Sequence, residues 1–269
     1  PKVENVCERF GYTTDGPDDA PAVLVLHSLR TSHALWDLQL PSRIDRFRLI
    51  RFDMRGHGKS SASPGNFTIE QLGSDALAVL DAAGAQTAAI CGISIGGVTA
   101  VWLGQNAAKR VSRLVLANTA ARIGTSEHWT ERMRFVRANG MDIAADQAVS
   151  RWFTDEFCAS HPTVVARFRA IARACPLDSY IGACAALRDA DLRRDLHHVT
   201  AKTLVVAGSE DISTTVADGA YLRDNIPEAR MELLHAAHLS TVECAEEFAA
   251  HSAEFRCREN AVCCGNGGV

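Results

Sequence analysis

Nowhere does this 269-residue chain run through about eighteen consecutive apolar residues, which excludes a membrane-spanning helix of ordinary length. Its first residues, Pro1-Lys2-Val3-Glu4-Asn5, lack the charged and then apolar layout of a signal peptide, so a cytoplasmic protein is expected. It has no surplus of base either. Lys and Arg number 28 against 32 Asp and Glu, for a net charge of −4, and the arginines are scattered. That balance argues against nucleic acid or an anionic membrane as partner and leaves a small-molecule substrate. The nine cysteines contain no Cys-x-x-Cys spacing and no paired histidine motif, so neither zinc nor a disulfide framework is expected. Internal repeats are absent, and the oligomeric state stays open. What is present is an ordinary globular composition, 47% hydrophobic and 22% charged. The length suits one large α/β domain with an inserted subdomain.

The stretch that organises the chain is Cys91-Gly92-Ile93-Ser94-Ile95-Gly96-Gly97. A short apolar strand, Thr87 to Cys91, precedes it, and a Pro-free helix, Val98 to Ala107, follows. Gly-x-Ser-x-Gly in a strand-turn-helix setting is a nucleophile elbow. The glycines let strand and helix approach closely, the strained serine projects its hydroxyl, and the next N–H, that of Ile95, faces the same space. Cys91, at the end of this strand, reads as a small hydrophobe.

Buried parallel strands show as unbroken apolar runs. Ala22–Leu26 fits that pattern, and Arg48–Phe52, Val111–Leu116, Thr203–Ala207 and Arg230–Leu234 read as further strands of the sheet, with one or two edge strands between Val3 and Thr14. Thr68 reads as the N-cap of a helix closing near Gly84, and a last helix spans Ala245 to Phe255. Between residues 122 and 200 strand-like runs give way to apolar residues at helical spacing, an insertion expected to cap the site. The expected organisation is a discontinuous core, 1–121 with 201–257, a helical cap over 122–200, and a disordered tail over 258–269 bearing Cys263 and Cys264.

Three polar residues each follow a buried strand in the order Ser94, Asp211, His238, the chain order of the α/β-hydrolase triad. A serine hydroxyl needs a base, here His238, and Asp211 would fix the imidazole tautomer. Glu210 competes with Asp211, which lies deeper in its loop, and His235 competes with His238. His57 precedes the elbow and reads as structural, as does His27, a brace for the loop whose Leu29 N–H is the second candidate oxyanion donor beside Ile95.

The chain resembles the 3-oxoadipate enol-lactonase family of α/β-hydrolases over roughly residues 20 to 250. The segments that carry the likeness include Arg51–Gly58, Thr68–Leu72, the elbow, Asn118–Gly124, Arg151–Thr154, Ala185–Arg193 and Ala237–Glu243. The resemblance implies a mostly parallel sheet flanked by helices, no cofactor, and opening of a small acidic enol-lactone in the β-ketoadipate route of aromatic degradation. Trp152 is then a candidate wall of the pocket, and Arg122 and Arg134 candidate receivers of a substrate carboxylate. One departure stands out. Where the family usually has Ser-Leu-Gly, this chain has Ser28-Leu29-Arg30. Arginine takes positive φ less readily than glycine, so a reshaped loop is expected. The guanidinium either meets a substrate carboxylate or, as the usual exposure of arginine favours, points to solvent. A general esterase or perhydrolase on the same triad, and a hydrolase-like protein that binds a small ligand with little turnover, are the competing readings. Turnover of neutral aryl esters distinguishes the first, and stoichiometric fluorophosphonate labelling with multiple turnovers excludes the second.

Overall fold

A computed structural model describes residues 9–61 and 64–253. Seven strands form one sheet: β1 (Tyr12–Asp15), β2 (Ala22–Leu26), β3 (Arg48–Phe52), β4 (Ala88–Ile93), β5 (Val111–Ala117), β6 (Lys202–Gly208) and β7 (Arg230–Leu234). Their order across the sheet is β1-β3-β2-β4-β5-β6-β7. Only β1 runs antiparallel, pairing Tyr12 with Phe52 and Asp15 with Leu49.

The apolar run of β2 is continuous because both faces of the sheet are covered there. Along β2, Val23 and Val25 join one core with Val115, Val206 and Phe248, while Leu24 and Leu26 join the other with Ile50, Ile90 and Leu116. Alternation along a strand thus feeds two hydrophobic layers instead of one layer and solvent. Helices α1 (Ile69–Ala82) and α2 (Ile95–Asn106) bury their apolar residues in the second of these cores. Helix α1 starts where the sequence places it. The Thr68 hydroxyl accepts the Gln71 N–H at 3.1 Å, and the Gln71 side chain accepts the Thr68 N–H at 3.1 Å. Such a capping box contributes about 1 kcal/mol.

Between β5 and β6 lie α3 (Ser126–Trp152), α4 (Asp155–Ser160), α5 (Pro162–Ala174) and α6 (Leu177–Asp189). Helix α3 is two limbs joined at Gly140, where φ is 81° and ψ 174°. The first limb buries Trp129, Met133 and Val136, and the second buries Ala144, Ala145, Ala148, Val149 and Trp152. After β6 come α7 (Val216–Asn225), α8 (Ser240–Glu243) and α9 (Ala245–Ala253). The tail, Phe255 and the residues before Arg9 lie outside the described residues. Among the described residues no helix is long and apolar enough to cross a membrane.

Sheet order is what assembles the site. The neighbours β2, β4, β5, β6 and β7 all run the same way. The segments that leave their C-terminal ends, carrying Leu29, Ser94, Asn118, Asp211 and His238, therefore follow one another along a single edge, where open α/β sheets hold their ligands.

Candidate active site

Ser94 sits between β4 and α2 with φ 59° and ψ −124°, a conformation that costs a non-glycine residue about 1–3 kcal/mol. Local hydrogen bonds hold it there. The Ser94 N–H reaches the carbonyls of Ala117 and Asn118, both at 3.1 Å, and the Ser94 carbonyl accepts the Thr119 hydroxyl at 2.7 Å. The flanking glycines are a matter of space. A Cβ on Gly92 would lie 2.2 Å from the Gly96 carbonyl oxygen, and one on Gly96 2.4 Å from that of Leu26. As the first residue of α2, Ile95 has no intrahelical acceptor for its N–H. Nor does the Leu29 N–H donate to a described residue.

Of the competing acids and histidines, only Asp211 and His238 meet. His238 Nδ1 lies 2.8 Å from Asp211 Oδ2, and both residues are buried. Glu210 and His235 are exposed and contact only Ser209 through their side chains. Asp211 accepts from the N–H groups of Ser213 (2.8 Å) and Thr214 (3.1 Å), the Thr214 hydroxyl (2.7 Å) and Asn118 Nδ2 (3.0 Å). Burial raises its pKa, but the charge and hydrogen bond of His238, with those of Thr214 and Asn118, outweigh burial and hold the carboxyl well below the usual range. An ionised Asp211 places the imidazole proton on Nδ1 and leaves Nε2 as an acceptor.

Asn118 was not among the expected site residues, though it too follows a buried strand. Besides Asp211 it binds the Ala237 carbonyl at 3.1 Å and accepts the Ser240 hydroxyl, so it ties the acid's loop to the histidine's loop. Glu243 does the same between the histidine loop and the inserted helices. It accepts the N–H of Ala237 at 2.9 Å and that of Thr154 at 3.1 Å.

His27 and His57 stay out of the cavity. His27 Nε2 accepts the Met54 N–H at 2.9 Å and its Nδ1 lies 2.8 Å from the Ser28 carbonyl, an internal brace. Burial pushes the His57 pKa down to about 3, helped by the neighbouring His27. Cys91 is buried and its thiol is pushed up to about 12, so it is no thiolate at neutral pH. Among the described residues no group of three His, Cys, Asp or Glu could hold a metal ion.

Ser94 and His238 open onto a cavity of ≈ 310 Å³, small enough to suit a small ligand. Trp152, Tyr180 and Trp129 wall it, and it has no carboxylate in its lining but three guanidiniums, Arg30, Arg132 and Arg151. Two of the expected carboxylate receivers are therefore corrected. Arg122 lies in a different depression and pairs with Asp191 at 3.5 Å. Arg134 is exposed, because at 100° per residue it faces away from the Trp129, Met133 and Val136 stripe. Arg132 lies on that stripe, at i+3 from Trp129, and that spacing is the signal that picks it out.

Arg30 departs from expectation twice. Its backbone takes φ 64°, the left-handed region, so the loop keeps a glycine-like course instead of being reshaped around the arginine. Its side chain is 4% exposed and lies against the inserted helices, not solvent. Nη1 donates to the Ala144 carbonyl, and Cζ stands 4.9 Å from the Tyr180 ring centroid and 5.7 Å from that of Trp152.

Comparison with known proteins agrees with this architecture. Residues 21–243 match the α/β-hydrolase fold model. The chain is 38% identical to 3-oxoadipate enol-lactonase 2 of Acinetobacter baylyi, over 89% of this chain and 90% of that protein. It is 37% identical to enol-lactonase 1 of the same organism, over 87% and 88%. Among solved structures, the enol-lactonase from Burkholderia xenovorans LB400 superposes with a TM-score of 0.90 at 37% identity, covering 91% of this chain and 95% of that one. With that sheet, that elbow and these relatives, the chain belongs to the 3-oxoadipate enol-lactonase family of α/β-hydrolases, enzymes that act on ester bonds.

Proposed function

We propose that this protein opens a small enol-lactone bearing a carboxylate, most closely 3-oxoadipate enol-lactone, to the 3-oxo dicarboxylic acid, through an acyl-enzyme on Ser94. The observation that carries the reading is the cavity itself: the Ser94, His238 and Asp211 constellation opens onto a space with three guanidiniums and no acidic residue. The names of the enol-lactonase relatives support the same substrate class.

In this mechanism His238 Nε2 takes the Ser94 proton as Oγ attacks the lactone carbonyl. The N–H groups of Leu29 and Ile95 receive the oxyanion. Collapse breaks the ring C–O bond, the enol oxygen takes the proton from His238, and the enol tautomerises to the ketone. Water, deprotonated by His238, then attacks the acyl-enzyme and Ser94 is regenerated. Overall a monoanionic lactone and one water give a dianion and one proton. Asp211 holds the imidazole in the tautomer each step requires. Trp152 and Tyr180 exclude bulk water, and with the other helices between β5 and β6 they form the cap over the site.

Steady-state hydrolysis of 3-oxoadipate enol-lactone beside an uncharged aryl ester, with Ser94→Ala as the blank, tests this reading. A marked preference for the lactone is expected. A preference for the neutral ester would make the protein a general esterase on the same triad.

A further inference from the structure

This chain buries several arginines, and it provides for most of them. Arg55 forms a bidentate pair with Asp75 at 2.5 and 2.6 Å. Arg43 reaches the Gln39 amide oxygen and the Ser252 hydroxyl. Arg51 pairs with Asp15 and Asp37. Arg30 has no such partner: its polar contact among the described residues is one carbonyl, that of Ala144, and its buried Nε has no hydrogen-bond acceptor. Arg132 also donates to the Ala144 carbonyl, at 3.3 Å, and spends its other nitrogens on Tyr180 Oη and Gln147 Oε1. Arg151, the third guanidinium of the cavity, makes no hydrogen bond or ion pair with a described residue. Burial pushes the pKa of both Arg30 and Arg151 down, and their mutual repulsion with Arg132 adds to it. A buried cation without a counter-ion is costly, and here it also stands on a backbone conformation that disfavours arginine. Both costs would be removed by glycine.

We infer that Arg30, with Arg151 beside it, is a built receptor for a ligand carboxylate and determines specificity for dicarboxylates, the free cations being completed by the anion that enters the cavity. The inference deepens the lactonase reading and rests on it only for the identity of the ligand. Ring opening turns a monocarboxylate into a dicarboxylate whose new carboxylate forms at Ser94, so the product carries one anion at each end of the cavity. A consequence is that the open-chain product binds more tightly than a monoanion of the same length and competes with substrate.

The test uses the Ser94→Ala protein and calorimetric titration with adipate, hexanoate and dimethyl adipate. Adipate is expected to bind, hexanoate about tenfold or more weaker, and dimethyl adipate weaker still. Adding Arg30→Gly is expected to weaken adipate roughly 10- to 100-fold, as is Arg151→Gln, which serves as the independent variant at a position with no strained backbone. Adipate binding unchanged by both substitutions, equal binding of adipate and its dimethyl ester, or no binding of adipate to Ser94→Ala would each overturn the receptor. The two readings fail separately. A protein that binds adipate through Arg30 and does not open the lactone keeps the receptor and loses the lactonase assignment. A lactonase whose KM for the acidic lactone ignores Arg30→Gly loses the receptor alone.

Discussion

The two ends of one cavity are built on opposite principles. At the triad end the acid is met entirely from within the chain. Asp211 alone receives contacts from His238, Asn118, Thr214 and the backbone of Ser213 and Thr214. At the arginine end three cations converge, no acid faces them, and Arg30 Nε has no acceptor. Preorganisation explains the first, because reacting groups have to be held in place before substrate arrives. The second is left unfinished, and only an anionic ligand completes it. Catalytic power is expected to fall with changes at one end and charge selectivity with changes at the other.

Changes at the triad end carry the largest effects. Ser94→Ala should lower kcat by about 10⁴-fold or more, and Asp211→Asn by roughly 10⁴-fold by stabilising the wrong imidazole tautomer. Retained wild-type turnover in either would break the assignment. Asn118 positions the acid instead of touching substrate. Asn118→Gly suits its φ of 40° and should cost roughly tenfold in kcat with KM unchanged. A change confined to KM would place Asn118 at the arginine end instead.

Stability separates the two ends in a different way. Without ligand, Arg30→Gly relieves the left-handed backbone and removes a buried unpaired charge, so Tm should rise by about 2–4 °C, the equivalent of ~1 kcal/mol. A lower Tm would mean that the stacking on Tyr180 and Trp152 outweighs both costs. Acid weakens the fold through groups outside the cavity. His57 titrates near 6.5 when unfolded and about 3 when folded, so its contribution is full above pH 6.5 and is lost as pH falls toward 3. Burial raises the Asp53 pKa, but His33, His27 and the Lys59 and His33 N–H groups bring it down to about 2. Its contribution is therefore lost between about pH 4 and 2. Urea titrations from pH 7 to 4 should show the decline that His57 contributes, and His57→Gln should flatten it.

Much of the first end is legible in the sequence, and little of the second. Strand Ala22–Leu26 coincides with an unbroken apolar run because two-sided burial leaves a continuous signal. Ser94, Asp211 and His238 stand out because each follows an expected strand. Helix α7 escapes notice, having few apolar residues, yet Thr215 and Asp218 form a capping box at its start that the spacing Thr-x-x-Asp displays. Arg30 is the clearest limit. Its residue type suggests solvent and a displaced loop, whereas its burial is decided by Trp152, Tyr180 and Ala144, more than a hundred residues away. Local pattern carries information about elements and their ends, but not about which distant helix will cover an arginine.

The most direct test of a cavity finished by its ligand varies one charge on each partner. kcat/KM would be measured for 3-oxoadipate enol-lactone and for its methyl ester, in the wild-type enzyme and in Arg30→Gly. The wild type is expected to prefer the acid by about 10- to 100-fold and Arg30→Gly to narrow the gap, so that the two losses are not additive. Equal turnover of acid and ester by the wild type, or the same preference in both enzymes, would contradict it.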